Sequence, residues 1–244
     1  MPSIPVDVLR EILEHVHLQS ELATLCRVNK IFCSCSQDVL YRYIYGHEQV
    51  IPTLAQSTDL ARRVRVFTAS AGEYPDLAMA LRNMSSLRIL EFWYFYDASI
   101  LDGCTFKLDS FTCNTPYSES LQNFLNNQPS LTHINLYAYE RPLLTFDVER
   151  CLPNLTRIHA HPFMLRMFIP GRPVREVMIR SAADIDLGIF TLSTAPIQKL
   201  FIHYNFLYPK PVSLLVSMFP FLVHLDVNAY GVKWTVRVPL CLSI

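Results

Sequence analysis

The feature that most constrains this chain is a short template, apolar-x-x-apolar-x-apolar, that returns eight times after residue 60. The copies read Ala61-Val64-Val66, Leu87-Leu90-Phe92, Leu108-Phe111-Cys113, Leu131-Ile134-Leu136, Leu155-Ile158-Ala160, Val174-Val177-Ile179, Ile197-Leu200-Ile202 and Leu222-Leu225-Val227. Successive copies begin 26, 21, 23, 24, 19, 23 and 25 residues apart. In each copy the last two apolar positions flank one residue, the period-2 mark of a half-buried strand. Pro129, Pro153, Pro173, Pro196 and Pro220 stand one or two residues upstream of five copies. Helix-like runs fall between copies, as at 75–81, 118–125 and 211–219. A strand, a helix and a second parallel strand form a right-handed crossover unit. Such units, stacked, give a curved parallel sheet on the concave side and helices on the convex side, around one continuous apolar core. The class expected is α/β.

Punctuation fits the same scheme. Residues 95–107, around Asp102-Gly103-Cys104, read as an insertion, and Pro170-Gly171-Arg172-Pro173 as a turn between repeats. Gly231 to Pro239 alternates like one more strand. The C-terminal cap is therefore expected to be missing or atypical, with a hairpin as one way of closing the end.

The N-terminus follows a different period. Ile4-Pro5-Val6-Asp7 leads into a run with Leu9, Ile12, Leu13 and Val16 on one stripe, and Glu21 into a run with Leu22, Leu25, Val28 and Phe32 on another. Pro5 suits the start of a helix, where its missing N–H costs nothing. Ser20 is the expected N-cap of the second helix, with Glu21 near the positive end of its dipole. Two short helices cannot bury both stripes between themselves, so apolar surface is left for a partner.

That ordered set resembles an F-box: Ile4-Pro5-Val6-Asp7 fills the family's leading Leu-Pro-x-acidic slot, and Val28-Asn29-Lys30-Ile31-Phe32 fills its Val-x-x-x-Phe slot. Leu40-Tyr41-Arg42-Tyr43-Ile44 resembles the segment that closes many fungal F-boxes. Ile4 for Leu and Asp7 for Glu are mild departures, and the likeness covers about residues 3–45. The spacing of the later template lies in the leucine-rich-repeat range. The Asn that follows many leucine-rich strands is mostly absent, so these copies resemble the irregular repeats found after F-boxes, abundant in basidiomycete fungi. The expected domains are an all-α F-box at 1–46 and, at 47–244, a leucine-rich-repeat-like solenoid of about eight irregular repeats.

The resemblance implies the substrate-recognition subunit of an SCF-type cullin–RING ubiquitin ligase, bound to a Skp-type adaptor through the F-box. Ile4, Pro5, Leu9, Ile12, Leu13, Leu22, Leu25, Val28 and Phe32 are the expected adaptor-binding residues, some of which must instead hold the F-box together. The outward positions of the repeats are the expected substrate-binding face: Trp93, His133, Asn135, Tyr137, Arg157, His159, His161, Arg180, Phe201, His203, His224 and Asp226. Arg63 and Arg65 would join that face from the first copy. A leucine-rich-repeat scaffold outside the ligase, and a small hydrolase on an α/β fold, are the alternatives.

Composition narrows the field further. Hydrophobic residues make up 51% of the 244, and the 21 basic residues balance 21 acidic ones. That balance gives no electrostatic case for nucleic acid or an anionic membrane. Asp7 and Glu11 interrupt any leader-like apolar run, and Leu214 to Val223 is too short to span a bilayer. A cytoplasmic or nuclear address is the expectation. The seven cysteines show no CxxC pair. His159 and His161 with His133 and His203 lack a carboxylate or thiolate placed to complete a metal site, so no metal or cofactor is expected; a pH-responsive patch is the more natural reading of these imidazoles. There is no GxSxG, P-loop, HExxH or GxGxxG before a helix, so no catalysis is expected.

Overall fold

The computed structural model describes residues 4–46, 49–69, 75–93, 97–137, 151–180, 186–204, 218–229 and 232–237. The chain divides into two units, Met1–Glu91 with Ile100–Lys107, and Phe92–Ser99 with Leu108–Ile244.

The first unit begins with three helices: α1 (Val6–Glu14), α2 (Gln19–Leu25) and α3 (Lys30–Leu40). Pro5 is the N-cap of α1, and its carbonyl accepts from the Leu9 N–H at 3.0 Å. Leu9, Leu13, Leu22 and Cys35 form a buried cluster, and Val16, Leu25, Phe32, Val39 and Leu40 pack against it. Both α1 and α2 lie on α3.

Two expectations change here. Helix α2 starts at Gln19 with Leu18 as its cap, so Ser20 lies inside it, and its carbonyl accepts from Thr24 Oγ1 at 2.9 Å. The second apolar stripe is also not one helix. Asn29 is extended, and its Oδ1 accepts from the Ile31 and Phe32 N–H groups, both at 3.0 Å. An Asn side chain that satisfies two orphan donors starts a new helix there.

Beyond α3 the unit continues as β1 (Tyr43–Gly46), α4 (Val50–Gln56), α5 (Thr58–Ala61), β2 (Val66–Ala69), α6 (Leu77–Asn83) and the beginning of β3 (Ile89–Phe92). Strand β1 lies inside the range expected for the F-box and pairs parallel with β2, Ile44 opposite Phe67 and Gly46 opposite Ala69. The buried side chains of the first copy are therefore Val64, Phe67 and Ala69. The template sits three residues later than Ala61-Val64-Val66. Arg63 consequently leaves the outward face and pairs with Asp38 and Asp59. Arg65 donates from Nη1 to the Ser86 carbonyl at 3.0 Å. Asn83 ties α6 to α4 through the Leu54 and Ala55 carbonyls, at 3.2 and 2.8 Å.

The second unit carries β4 (Ser110–Cys113), α7 (Glu119–Asn126), β5 (His133–Leu136), β6 (Arg157–Ala160), α8 (Pro162–Phe168), β7 (Glu176–Arg180), β8 (Lys199–Tyr204), β9 (His224–Ala229) and β10 (Val232–Arg237). Strands β4 to β9 pair parallel and in chain order. The register aligns the template copy for copy: Phe111, Ile134, Ile158, Val177, Leu200 and Leu225 form one row, and Cys113, Leu136, Ala160, Ile179, Ile202 and Val227 the next. Both rows are buried. Each large side chain so buried contributes about 1.5–3 kcal/mol. Strand β10 returns antiparallel on β9, with Arg237 opposite His224, so this end forms a hairpin.

Among the described segments between strands, α7 and α8 pack against the sheet. Ser118 Oγ accepts from the Leu121 N–H at 3.3 Å and starts α7, and the Phe124 ring sits 5.3 Å from that of Phe111 on β4. Pro162 occupies the first turn of α8. A 3-10 helix, Leu187–Leu192, takes the corresponding place before β8, started by Asp186. The helix expected at 211–219 lies outside the described residues up to 217. The expected turn at 170–173 is present, with Gly171 at φ +74°. Its Arg172 is 3% exposed. The guanidinium donates to the carbonyls of Cys151 at 2.8 Å, Pro170 at 2.7 Å and Met167 at 3.3 Å.

Candidate binding surfaces

The apolar stripe of α1 divides by helical geometry. Leu9 and Leu13 face the bundle and are buried, while Val8 and Ile12, one position earlier, face outward. Ile12 is 51% exposed and Leu13 1%. Of the nine expected adaptor-binding residues, Leu9, Leu13 and Leu22 are core residues. Leu25 and Phe32 are partly buried against that core. Ile4, Pro5, Ile12 and Val28 stand at the surface. Sequence reasoning passed over Val6, Val8, Leu18 and Ile31, which are also exposed. Val8 was readable, since it stands four residues before Ile12. Leu18 and Ile31 were not: Leu18 is the cap of α2, outside the apolar stripe, and Ile31 follows the break at Asn29 that the structure reveals. A polar cleft of about 510 Å³ lies in the same unit, where Asp38 and Asp59 face Arg10, Arg42, Arg62, Arg63 and Arg65. Its cations are largely answered: Arg10 Nη2 is 3.5 Å from Asp38, and Arg42 Nη1 is 2.8 Å from Glu14.

In the second unit the positions between the buried rows form an outward face. One row reads Ser110, His133, Arg157, Glu176, Lys199 and His224 across β4 to β9. Glu176 is shared between Arg157 Nε at 3.3 Å and Lys199 Nζ at 3.2 Å. His133 Nδ1 lies 2.6 Å from Thr132 Oγ1. Burial and the neighbouring Arg157 cation hold its imidazole below the ordinary histidine range.

The next row reads Thr112, Asn135, His159, Met178, Phe201 and Asp226. Asn135 Nδ2 donates to Thr112 Oγ1 at 3.0 Å and helps bury it. The Phe201 and His224 rings lie 5.2 Å apart.

Four side chains gather at the strand ends. The Tyr137 ring lies 5.2 Å from Trp93 on one side and 5.2 Å from His159 on the other. Arg180 lies over Tyr137, its Cζ 3.4 Å from the ring centroid, and its Nε donates to His159 Nε2 at 2.8 Å. Asn114 fixes the start of this group by donating from Nδ2 to the Trp93 carbonyl at 3.0 Å. His161 opens α8, with its ring 4.8 Å from Phe163. The backbone of His203 pairs in register with Arg180 and Asn228, but its side chain lies outside the described set. The expected face thus separates into an ion-paired row and an aromatic–guanidinium cluster, which sequence spacing alone did not distinguish.

Among the described residues, no group of three or more His, Cys, Asp or Glu side chains could hold a metal ion. No described helix is long and apolar enough to cross a membrane. No family model matches the sequence, and no curated protein matches it.

Proposed function

We propose that this chain is the substrate-recognition subunit of an SCF-type cullin–RING ubiquitin ligase, with the three leading helices as an F-box and the outward face of the second unit as the substrate site. The observation that carries the reading is the division of α1. Leu9 and Leu13 hold the bundle together, while Val8 and Ile12 remain at the surface beside Ile4 and Pro5. Neighbouring exposed apolar side chains on so small a bundle favour a protein-interaction surface, and the F-box likeness points to a Skp-type adaptor as the partner. The adaptor would join the chain to the cullin–RING core. A target held on the outward face would then sit within reach of the ubiquitin-charged enzyme, whose thioester its lysine attacks. The gain is one of effective concentration, and this chain does no chemistry itself.

Co-expression with a tagged Skp-type adaptor tests the reading. A stoichiometric complex that is lost in Ile12→Asp supports it. Leu13→Asp is a poor probe, since it places a charge in the core. A second reading is a leucine-rich-repeat scaffold outside the ligase. It is favoured by one observation: the Trp93–Tyr137–His159–Arg180 cluster lies wholly in the second unit and uses nothing from the helices. A folded chain that captures no adaptor points to that reading.

A further inference from the structure

We infer that the cluster around Arg180 is a recognition site for an internal acidic side chain, Asp or Glu, of an extended partner peptide. This deepens the proposed role of the outward face as the substrate site. The guanidinium is held in two ways before any ligand arrives. Its Cζ lies over the Tyr137 ring, 3.4 Å from the centroid, and its Nε donates to His159 Nε2 at 2.8 Å. Arginine can only donate, so His159 Nε2 is the acceptor of this bond. Among the described residues no carboxylate forms an ion pair with Arg180. An arginine whose Nε is occupied keeps Nη1 and Nη2, and a stacked, oriented guanidinium can offer that pair to one carboxylate. Tyr137 cannot swing away freely, since Trp93 and His159 flank it at 5.2 Å. Little side-chain entropy is therefore left to lose on binding.

The surroundings define the rest of the ligand. Met178 stands opposite His159 on the neighbouring strand and Phe201 opposite Met178, so an apolar strip adjoins the cation. Glu176 already answers Arg157 and Lys199, one carboxylate between two cations. This part of the face therefore complements a negative ligand. Trp93 and Tyr137 are residue types that dominate binding hot spots. A nucleic acid fits less well, because Glu176 and Asp226 share the face and the chain has no net charge.

An array of random twelve-residue peptides with amidated C-termini, probed with the full chain, tests the inference. The expected selection is Asp or Glu next to an aliphatic or aromatic residue. Replacing that Glu by Gln in the selected peptides should weaken binding at least tenfold. Arg180→Lys, which keeps the charge and loses the fork, should do the same with an unchanged melting temperature. A selection without acidic enrichment, equal binding of Glu and Gln peptides, or no captured peptide overturns it. So does a preference confined to a parallel array with free C-terminal carboxylates, or stronger binding of a dT12 oligonucleotide. Adaptor capture by the same preparations is read separately: loss of peptide selectivity with the adaptor retained rejects this site alone, and the converse rejects the ligase reading alone.

Discussion

Arg172 donates its Nε–H to the Cys151 carbonyl at 2.8 Å, a bond between two residues 21 positions apart whose side chains are both nearly out of contact with solvent. Burial lowers the guanidinium's proton affinity, yet an arginine in a protein stays charged. Its hydrogen bonds to the Met167 and Pro170 carbonyls share the load. The arginine acts as a buried clip beneath the Gly171 turn.

Arg172→Met keeps most of the side-chain volume and removes the hydrogen bonds to Cys151, Met167 and Pro170. The Cys151 carbonyl is buried, and leaving it without a partner costs about 1–3 kcal/mol, while the Met167 and Pro170 bonds are only part-buried and cost less. Urea unfolding should show a loss of about 1–3 kcal/mol, and Arg172→Lys a smaller loss. Equal stability of the parent and the Met variant would remove the clip from the account.

Asn29 separates α2 from α3 by capping two N–H groups at 3.0 Å. Asn29→Ala should cost about 1 kcal/mol, and Asn29→Asp or Asn29→Ser should restore most of it. An Ala variant as stable as the parent, followed by helical circular dichroism in denaturant, would contradict three separate helices.

His133 predicts a pH dependence of stability. Its folded-state pKa lies below the ordinary value of 6.5, through burial first and Arg157 second, with Asp109 and Glu176 opposing. The unfolded chain therefore takes up this proton first as pH falls. The contribution to stability is present in full above about pH 6.5, declines below it, and levels off beneath the folded pKa. Subtracting the profile of His133→Gln from that of the parent should isolate this decline, and superimposable profiles would refute it.

The Cys113 and Cys104 thiols are pushed up to about 12, and Cys151 to about 11, in each case chiefly by burial. The thiolate is the reactive form. Iodoacetamide at pH 8 should leave these three unlabelled in the native chain and label them in urea. Mass spectrometry of the digest reads this directly, and native labelling of Cys113 would contradict its burial.

Much of this architecture was legible because it rests on volume and period. Leu131, Ile134 and Leu136 could be placed from spacing alone, and their counterparts align with them strand by strand. The first copy slipped because Ala61, Val64 and Val66 satisfy the same apolar rule as Val64, Phe67 and Ala69. Pairing to β1 selects between them, and β1 itself is hard to read since Tyr43 and Tyr45 are exposed. Val28 and Phe32 continued the period of α2 and hid the break at Asn29. Arg172 could not be read as buried, because an arginine between Gly and Pro looks like surface. The outward face was legible as a set of positions. That Arg180 reaches His159 and Tyr137, while Arg157 goes to Glu176, depends on side-chain directions that spacing does not carry.

The most direct test of the central claim is calorimetric titration of a purified Skp-type adaptor into the full chain, the parent beside Ile12→Asp and Val28→Asp. Both substitutions fall at surface positions, Val28 being 59% exposed, so the melting temperatures should match. The account predicts a 1:1 complex for the parent and at least a tenfold loss of affinity, about 1.4 kcal/mol, in Ile12→Asp. A folded parent chain that releases no heat with the adaptor, or an Ile12→Asp variant that binds as tightly as the parent, would contradict it.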